Sequence, residues 1–423
     1  MPEDNDIKQH IHTMGAQAVE AARHLARLDT DTKNRILLAM ADGIVAASDA
    51  IVTANQLDLE HGRAKGLSDA LLDRLALDTG RIQSIANAIR KVATLPDPVG
   101  ECLAQWSRPN GIQITKQRVP IGVIGIIYES RPNVTSDAAV LCFKSGNATI
   151  LRGGSEAIHS NRAIAAALQE SGATAGLPEN AIQLIPFTDR ESVRHMAEMD
   201  TCLDLIIPRG GHSLIETVVS LARMPVIKHY DGICHTYVHR AADLEMATRI
   251  TVDAKTQKPS VCNALETLLV DREIAPTFLP KVAEALQEKG VEMRGDDATR
   301  KILGTGITSA EATDWDTEYL DLILAIRVVE NLDGALEHIH VHSSQHSDCI
   351  VTSDAQAAQS FMAGVDSAAV FWNVSTRFSD GEEFGFGAEI GISTDKLHAR
   401  GPMALPELTS YKYLVEGAGQ TKG

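Results

Sequence analysis

From residue 120 onward the chain alternates short apolar runs with segments of helical period, and no other feature restricts its fold as strongly. Ile121–Tyr128 is an apolar run. Ser136–Lys144 is helical in period and stops at Ser145-Gly146, and Ala148–Leu151 is strand-like. Ser155 stands where it can cap the alanine-rich helix that ends at Gly172, and Ile182–Ile185 and Leu203–Ile207 follow as buried strands with helices behind them. Short, fully apolar strands separated by helices pair in parallel with right-handed crossovers, which predicts a doubly wound sheet. A second series begins near Val226: helix over Asp243–Ala254, strand over Ala264–Val270, helix over Phe278–Lys289, strand over Asp321–Val329, helix over Ala335–Ile339, strand over Asp348–Thr352. Two such α/β units imply a cleft between domains, and open parallel sheets bind ligands at the carboxyl ends of their strands.

The first hundred residues read as helices, with Ile36, Met40, Ile44, Ala47 and Ile51 on one face and Pro96 and Pro98 closing the region. Arg108-Pro109-Asn110-Gly111 marks a hairpin turn within Leu103–Val119, and the glycine-rich tail from Thr376 reads as an interaction arm. With aromatic residues at 4%, the core must be aliphatic, as suits helices stacked on parallel sheets. Lys plus Arg against Asp plus Glu gives 39 − 56 = −17, which argues against nucleic-acid or anionic-membrane partners. Val119–Tyr128, the longest apolar stretch, is about half the ~20 residues of a membrane span. The polar, acidic start resembles no signal peptide, and the six Cys form no CxxC pair. The expectation is a cytoplasmic protein with reduced thiols.

Gly153-Gly154-Ser155 follows an apolar strand and opens a helix, where backbone amides and the helix N-terminus can receive a phosphate. Gly210-Gly211 repeats the arrangement after the strand ending at Ile207. Neither is a GxGxxG, and a tight left-handed turn accounts for either one singly; the pair together points to a dinucleotide. Arg152 ends the strand before the first turn, where an arginine accommodates a 2′-phosphate, although spacing alone favours a solvated surface arginine. Cys262 lies in the polar loop Lys258-Pro-Ser-Val-Cys-Asn263, where Lys258 can favour the reactive thiolate; Cys142 and Cys349 sit in apolar periods as inert core. His338, His340, His342 and His346 suggest a metal site, but the segment spans a helix end and reads as a polar connection, so no metal is expected.

Val119-Pro-Ile-Gly-Val-Ile-Gly-Ile-Ile-Tyr128 followed by Lys144-Ser-Gly-Asn-Ala-Thr-Ile-Leu-Arg-Gly153 resembles the aldehyde dehydrogenase superfamily. Tyr128-Glu-Ser-Arg-Pro-Asn-Val-Thr135, Ile207-Pro-Arg-Gly-Gly211 and Lys255-Thr-Gln-Lys-Pro-Ser-Val-Cys-Asn263 resemble more closely its gamma-glutamyl phosphate reductase family. The resemblance implies an α/β fold of two doubly wound domains with an oligomerisation hairpin and a C-terminal arm. Residues 1–225 would bind cofactor, with 102–119 as the hairpin; 226–365 would be catalytic; and 366–423 would return to the first domain and form the arm. It implies NADPH-dependent reduction of L-glutamyl 5-phosphate to L-glutamate 5-semialdehyde with release of phosphate, in proline biosynthesis, by a homodimer or dimer of dimers, with possible channelling from a glutamate 5-kinase. The alternatives are another acyl-phosphate or acyl-CoA reductase of this fold, or a dinucleotide-binding protein without catalysis.

Under this resemblance Cys262 is the nucleophile. Arg152 falls where the superfamily has a Lys near the adenosine ribose, Ser155 where NAD-preferring relatives carry a Glu, and Glu318 where a Glu holds the nicotinamide ribose. Two departures stand out. The oxyanion Asn of the superfamily is replaced by Arg131, leaving Asn133 two positions later as the candidate donor. The water-activating Glu of a Glu-Leu-Gly-Gly motif is lost, the place reading His229-Tyr-Asp-Gly232, as suits an enzyme whose thioester must survive until hydride arrives. Arg131 and Lys255 are the candidates for binding the amino-acid end of the substrate.

Overall fold

The computed structural model describes residues 4–129, 131–228, 230–304 and 306–422. Five helices come first: α1 (Asp4–Leu25), α2 (Thr30–Ala46), α3 (Ser48–Ala64), α4 (Asp69–Leu75) and α5 (Thr79–Thr94). Asp29, Ser68 and Asp78 start α2, α4 and α5 by accepting the N–H of Thr32, Leu71 and Arg81. The periodic residues Ile36, Met40, Ile44 and Ile51 are all fully buried, but they belong to two helices that bend by 64° at Ala47. No single helix among the described residues is long and apolar enough to cross a membrane.

The chain then forms β1 (Cys102–Ser107), β2 (Gln113–Pro120), β3 (Val123–Tyr128), α6 (Asn133–Lys144), β4 (Ala148–Gly153), α7 (Ile158–Ala175), β5 (Ile182–Leu184), α8 (Arg190–Ala197), β6 (Leu205–Arg209) and α9 (His212–Leu221). Strands β3 to β6 make a parallel sheet in the order β5-β4-β3-β6. Every residue of β3 and β4 is buried, as continuous apolar strands covered on both faces should be. Ser155 does not cap α7. The helix starts three residues later, where Asp58 of α3 accepts the N–H groups of His159 and Ser160 at 3.1 and 2.8 Å, and it runs past Gly172 to a left-handed Gly176. Gly172 is tolerated inside because it packs against Met40 and Leu177.

By contact the chain divides into two units. The first holds residues 1–228, 386–391 and 403–423; the second holds 229–385 and 392–402. The expected return at 366 is therefore corrected: residues 366–385 stay with the second unit. In the first unit the tail supplies β16 (Thr409–Glu416), which pairs antiparallel with β2 on the side opposite β1. All of β1 is exposed, and this three-stranded sheet shows Trp106, Tyr411, Tyr413 and Val415 to solvent.

The second unit contains β7 (Cys234–Val238), α10 (Leu244–Thr256), β8 (Leu265–Asp271), α11 (Ala275–Glu288), β9 (Glu292–Gly295), α12 (Asp297–Leu303), β10 (Thr308–Ser309), β11 (Ile323–Val329), α13 (Leu332–His342), β12 (Ser347–Val351), α14 (Ala355–Gly364) and β13 (Ala369–Trp372). A short hairpin, β14 (Ile392–Ser393) and β15 (Gly401–Pro402), completes it. Seven strands form a parallel sheet in the order β10-β9-β11-β8-β7-β12-β13. Phe278, Leu279 and Val282 of α11 pack with Leu268 and Ile326 in one apolar cluster, and Phe361 and Ala335 pack with Tyr237 and Ile350 in another. Each fully buried side chain of this size contributes about 1.5–3 kcal/mol.

The histidines of α13 and its exit point to separate partners. His338 Nδ1 accepts from Arg327 at 2.9 Å, its ring lying edge-on to His235 and Trp315; His342 faces Asp316 at 2.7 Å, and His346 faces Ser347. Burial, with His235 and Arg327 adding to it, drops His338 from 6.5 to about 2. Above pH 6.5 the ring is neutral in both folded and unfolded chains. Below it the unfolded chain takes up a proton that the folded chain refuses, so this group costs about 1.4 kcal/mol per pH unit. His338→Gln is expected to flatten the loss of urea resistance between pH 6.5 and 5; an unchanged slope would show that other groups govern acid unfolding.

Candidate active site

In the second unit the site residues gather at the amino ends of the parallel strands, not at the carboxyl ends that parallel-sheet proteins ordinarily use. Cys262 lies in the loop before β8, Gly232 just before β7, Glu318 before β11 and His346 before β12. The loop forms because Pro259 follows the last turn of α10 and cannot donate to it, and the chain turns over Val261–Ala264 with the Ala264 N–H on the Val261 carbonyl at 3.0 Å. Cys262 is thereby half-exposed at the second position of the turn.

Three sets of contacts fix this turn. From below, Gly232 packs on the Cys262 backbone so closely that a Cβ there would lie 2.0 Å from the Cys262 carbonyl oxygen and 2.5 Å from its Cα. The Gly232 N–H donates to Glu318 Oε1 at 3.0 Å, which ties the Glu318 loop to the Cys262 loop through one glycine. Burial pushes the Glu318 carboxyl up from its ordinary range, and the Gly232 amide pulls against that. Cys234 Sγ donates to the Cys262 carbonyl at 3.2 Å; burial holds its thiol well above the usual range, so it remains a neutral donor. His346 lies 3.8 Å behind that sulfur. From the side, Asn263 donates to the Ser379 carbonyl at 2.9 Å and the Arg377 carbonyl at 3.4 Å, while the Thr376 hydroxyl donates to the Asn263 carbonyl.

The third set is a buried ion pair. Lys255, in the last turn of α10, meets Glu266 of β8 at 2.7 Å, both fully buried, and closes the loop at its two ends. Burial pushes Glu266 up to about 7 and Lys255 down, their mutual attraction opposing both shifts. Lys255 is thus placed beneath the loop with its charge spent on Glu266, away from the exposed setting expected of a substrate contact. Lys258 is exposed. Cys142 and Cys349 are fully buried, with their thiols pushed up to about 12 by burial. A cavity of about 670 Å³ along Glu245, Arg249, Asp253 and Lys289 is lined by no cysteine. His229 lies outside the described residues.

In the first unit the expected binding residues stand at carboxyl ends. The strand order reverses between β3 and β6, and a crevice for a ligand forms at such a point. There Glu129, after β3, accepts the Gly211 N–H at 3.0 Å, and a Cβ at Gly210 would meet the same carboxylate at 2.5 Å. The Gly210-Gly211 turn therefore cradles a carboxylate of the chain itself where a phosphate was expected. Gly153 is buried against Asn161 and Tyr128, and the missing side chain of Gly154 makes room for the Glu156 carboxylate. Exposed Ser155 opens a short 3-10 turn. Arg152 is buried, donating to the carbonyls of Thr188 at 2.8 Å and Asp189 at 3.3 Å and to Ser192. Glu156, Glu129 and Asp189 offset the burial of its charge. Arg131 is exposed, and Asn133, in the first turn of α6, donates to Asp137 at 2.8 Å. Burial raises Asp137 to about 6, with Asn133 and Arg209 pulling it back.

The strand order, the open space beside Gly211 and the cations Arg152 and Arg209 at the ends of β4 and β6, the two strands that flank β3, fit an anionic dinucleotide in the first unit. The second unit presents a fixed cysteine of the kind that forms acyl intermediates. Residues 5–321 match the aldehyde dehydrogenase family, and the chain belongs to it. It is 56% identical over 417 residues to the gamma-glutamyl phosphate reductase of Moorella thermoacetica, covering 99% of this chain and all of the relative. It is 54% identical to that of Caldanaerobacter subterraneus over 97% of this chain and 99% of the relative. The crystal structure of gamma-glutamyl phosphate reductase from Thermotoga maritima superposes with a TM-score of 0.96 at 45% identity, covering 98% of this chain and all of that one. Within the family the chain stands among the gamma-glutamyl phosphate reductases, the glutamate-5-semialdehyde dehydrogenases, and is an oxidoreductase. An acetylating aldehyde dehydrogenase from Geobacillus thermoglucosidasius, 17% identical with a TM-score of 0.70 and 99% of both chains covered, shares the fold.

Proposed function

We propose that this enzyme reduces L-glutamyl 5-phosphate to L-glutamate 5-semialdehyde with NADPH and releases phosphate, through a thioester on Cys262, in the cytoplasmic synthesis of proline. The observation that carries the reading is the Cys262 loop, clamped by Gly232, Asn263 and the Lys255–Glu266 pair in a chain more than half identical to an enzyme of that name. Six unpaired cysteines support a reducing compartment.

The Cys262 thiolate attacks the acyl carbon, the S–C bond forms, and the C–O bond to phosphate breaks with its electron pair leaving on phosphate, which takes up a proton. The Cys262 backbone N–H is proposed as first donor to the oxyanion, with Asn133 as a second through the amide hydrogen not engaged by Asp137. Arg152, Gly153, Gly154, Ser155 and Glu318 are proposed to hold the dinucleotide, with Gly211 leaving open space beside them while Glu129 occupies the Gly210-Gly211 turn; the dinucleotide supplies hydride when bound. The adduct on Cys262 then collapses, expelling thiolate and aldehyde. Run in reverse, NADP reduction by the semialdehyde is expected to require inorganic phosphate; activity sustained by coenzyme A instead would establish an acyl-CoA reductase. Arg152→Ala is expected to raise KM for NADPH at least about tenfold more than for NADH, as loss of a charge-assisted contact does. Equal losses would make Arg152 an anchor of the 188–189 loop only.

The exposed β1-β2-β16 sheet, with Trp106, Tyr411 and Tyr413, is proposed as the face through which copies pair, as a homodimer or dimer of dimers. Direct hand-over from a glutamate 5-kinase is proposed on chemical grounds, since acyl phosphates hydrolyse readily. Metal, nucleic acid and membrane have no part in this reading.

A further inference from the structure

The substrate class proposed above carries a carboxylate three carbons from its reacting carbonyl, and this inference rests on that reading. A chain of net charge −17 must place a specific cation for such a group. Around the nucleophile loop of the second unit, Lys255 is neutralised by Glu266, and Arg294 is held by Asp314 and Glu292. Lys258 is an exposed point charge on a flexible stem.

Arg377 is different. Its backbone carbonyl accepts from Asn263, next to the nucleophile, at 3.4 Å, while its Nε donates to Gln257 Oε1 at 2.9 Å. Gln257 and Asn263 are the two ends of the loop that carries Cys262, so the arginine side chain runs along that loop from one end to the other. The residue is half-buried, its turn is set by the Ser375 hydroxyl accepting the Arg377 N–H, and no other hydrogen bond of its guanidinium is present among the described residues. A planar guanidinium held by Nε presents its two terminal nitrogens as the fork that matches a carboxylate.

We propose that Arg377, laid along the Cys262 loop between Asn263 and Gln257, recognises the α-carboxylate of the substrate and so selects amino-acid acyl groups. The test uses the full-length enzyme in the reverse direction with the semialdehyde, NADP and phosphate. Arg377→Gln is expected to raise KM for the semialdehyde about 30-fold or more with kcat within threefold, because the carboxylate contact is the same in ground and transition states. Arg377→Lys, keeping charge without the fork, should fall between. A merely structural staple would instead lower kcat for both Arg377 variants; that result, or an unchanged KM, would overturn the assignment. Wild-type turnover in the same assay reports on the reaction itself, so a defect confined to Arg377 variants speaks to this residue alone.

Discussion

Cys262→Ser is expected to lower turnover by at least about ten-thousand-fold while dinucleotide affinity, read by quenching of intrinsic fluorescence, stays at the wild-type value. A hydroxyl needs a strong adjacent base to attack an acyl group, whereas a thiol is appreciably ionised and far more nucleophilic near neutral pH. The structure offers no such base by hydrogen bond: the groups fixed around the turn are the Gly232 backbone, the Cys234 thiol and the Asn263 amide, and none accepts from the Cys262 side chain among the described residues. Dinucleotide binding is assigned to other residues, so it should survive. A serine enzyme within tenfold of wild type would remove Cys262 from the chemistry.

Gly232→Ala should cost kcat at least about a hundredfold, the size expected when a reacting group is displaced by about an ångström. The added methyl would meet backbone atoms of Cys262 at 2.0 and 2.5 Å, and backbone cannot swing aside as a flexible side chain can. If the Cys262 turn yields, its N–H leaves the position where it is proposed to meet the oxyanion. If residues 230–234 yield, the bond from Gly232 to Glu318 and the Cys234 contact both shift. Gly334→Ala in the same unit is the control, since a methyl there finds its nearest neighbour at an ordinary 3.6 Å. Near-wild-type kcat in Gly232→Ala would mean that the loop tolerates movement and that its rigidity is not part of catalysis.

The glycine also shows why the sequence was only partly legible. Local period and polarity are visible along a chain, so the strands around Val123–Tyr128 and Leu265–Asp271, the hairpin turn after Ser107 and the loop position of Cys262 could all be read. What escaped depends on partners remote in sequence. Asp58 caps α7 from about a hundred residues away, and an acid that far off leaves no local trace. Glu129 fills the Gly210-Gly211 turn, and Glu266 neutralises Lys255, so two features read as ligand contacts already have partners within the chain. Cys234 looked unmarked because its role is to donate to a carbonyl 28 residues ahead. The signal for Gly232 was present: it is the one glycine of His229-Tyr-Asp-Gly232 that coincides with the hydrolytic motif. The Cys262 loop lies at the amino ends of its strands, where the general rule for parallel sheets pointed to the other edge.

Peptide mass spectrometry after mixing the enzyme with semialdehyde and NADP in phosphate-free buffer tests the central claim most directly. A glutamyl adduct is expected on the peptide spanning Lys258 to Asn263, vanishing when phosphate is added as the acyl group leaves the sulfur. Full oxidation of the aldehyde with that peptide unmodified at every time point, or an adduct on another cysteine, would contradict the account.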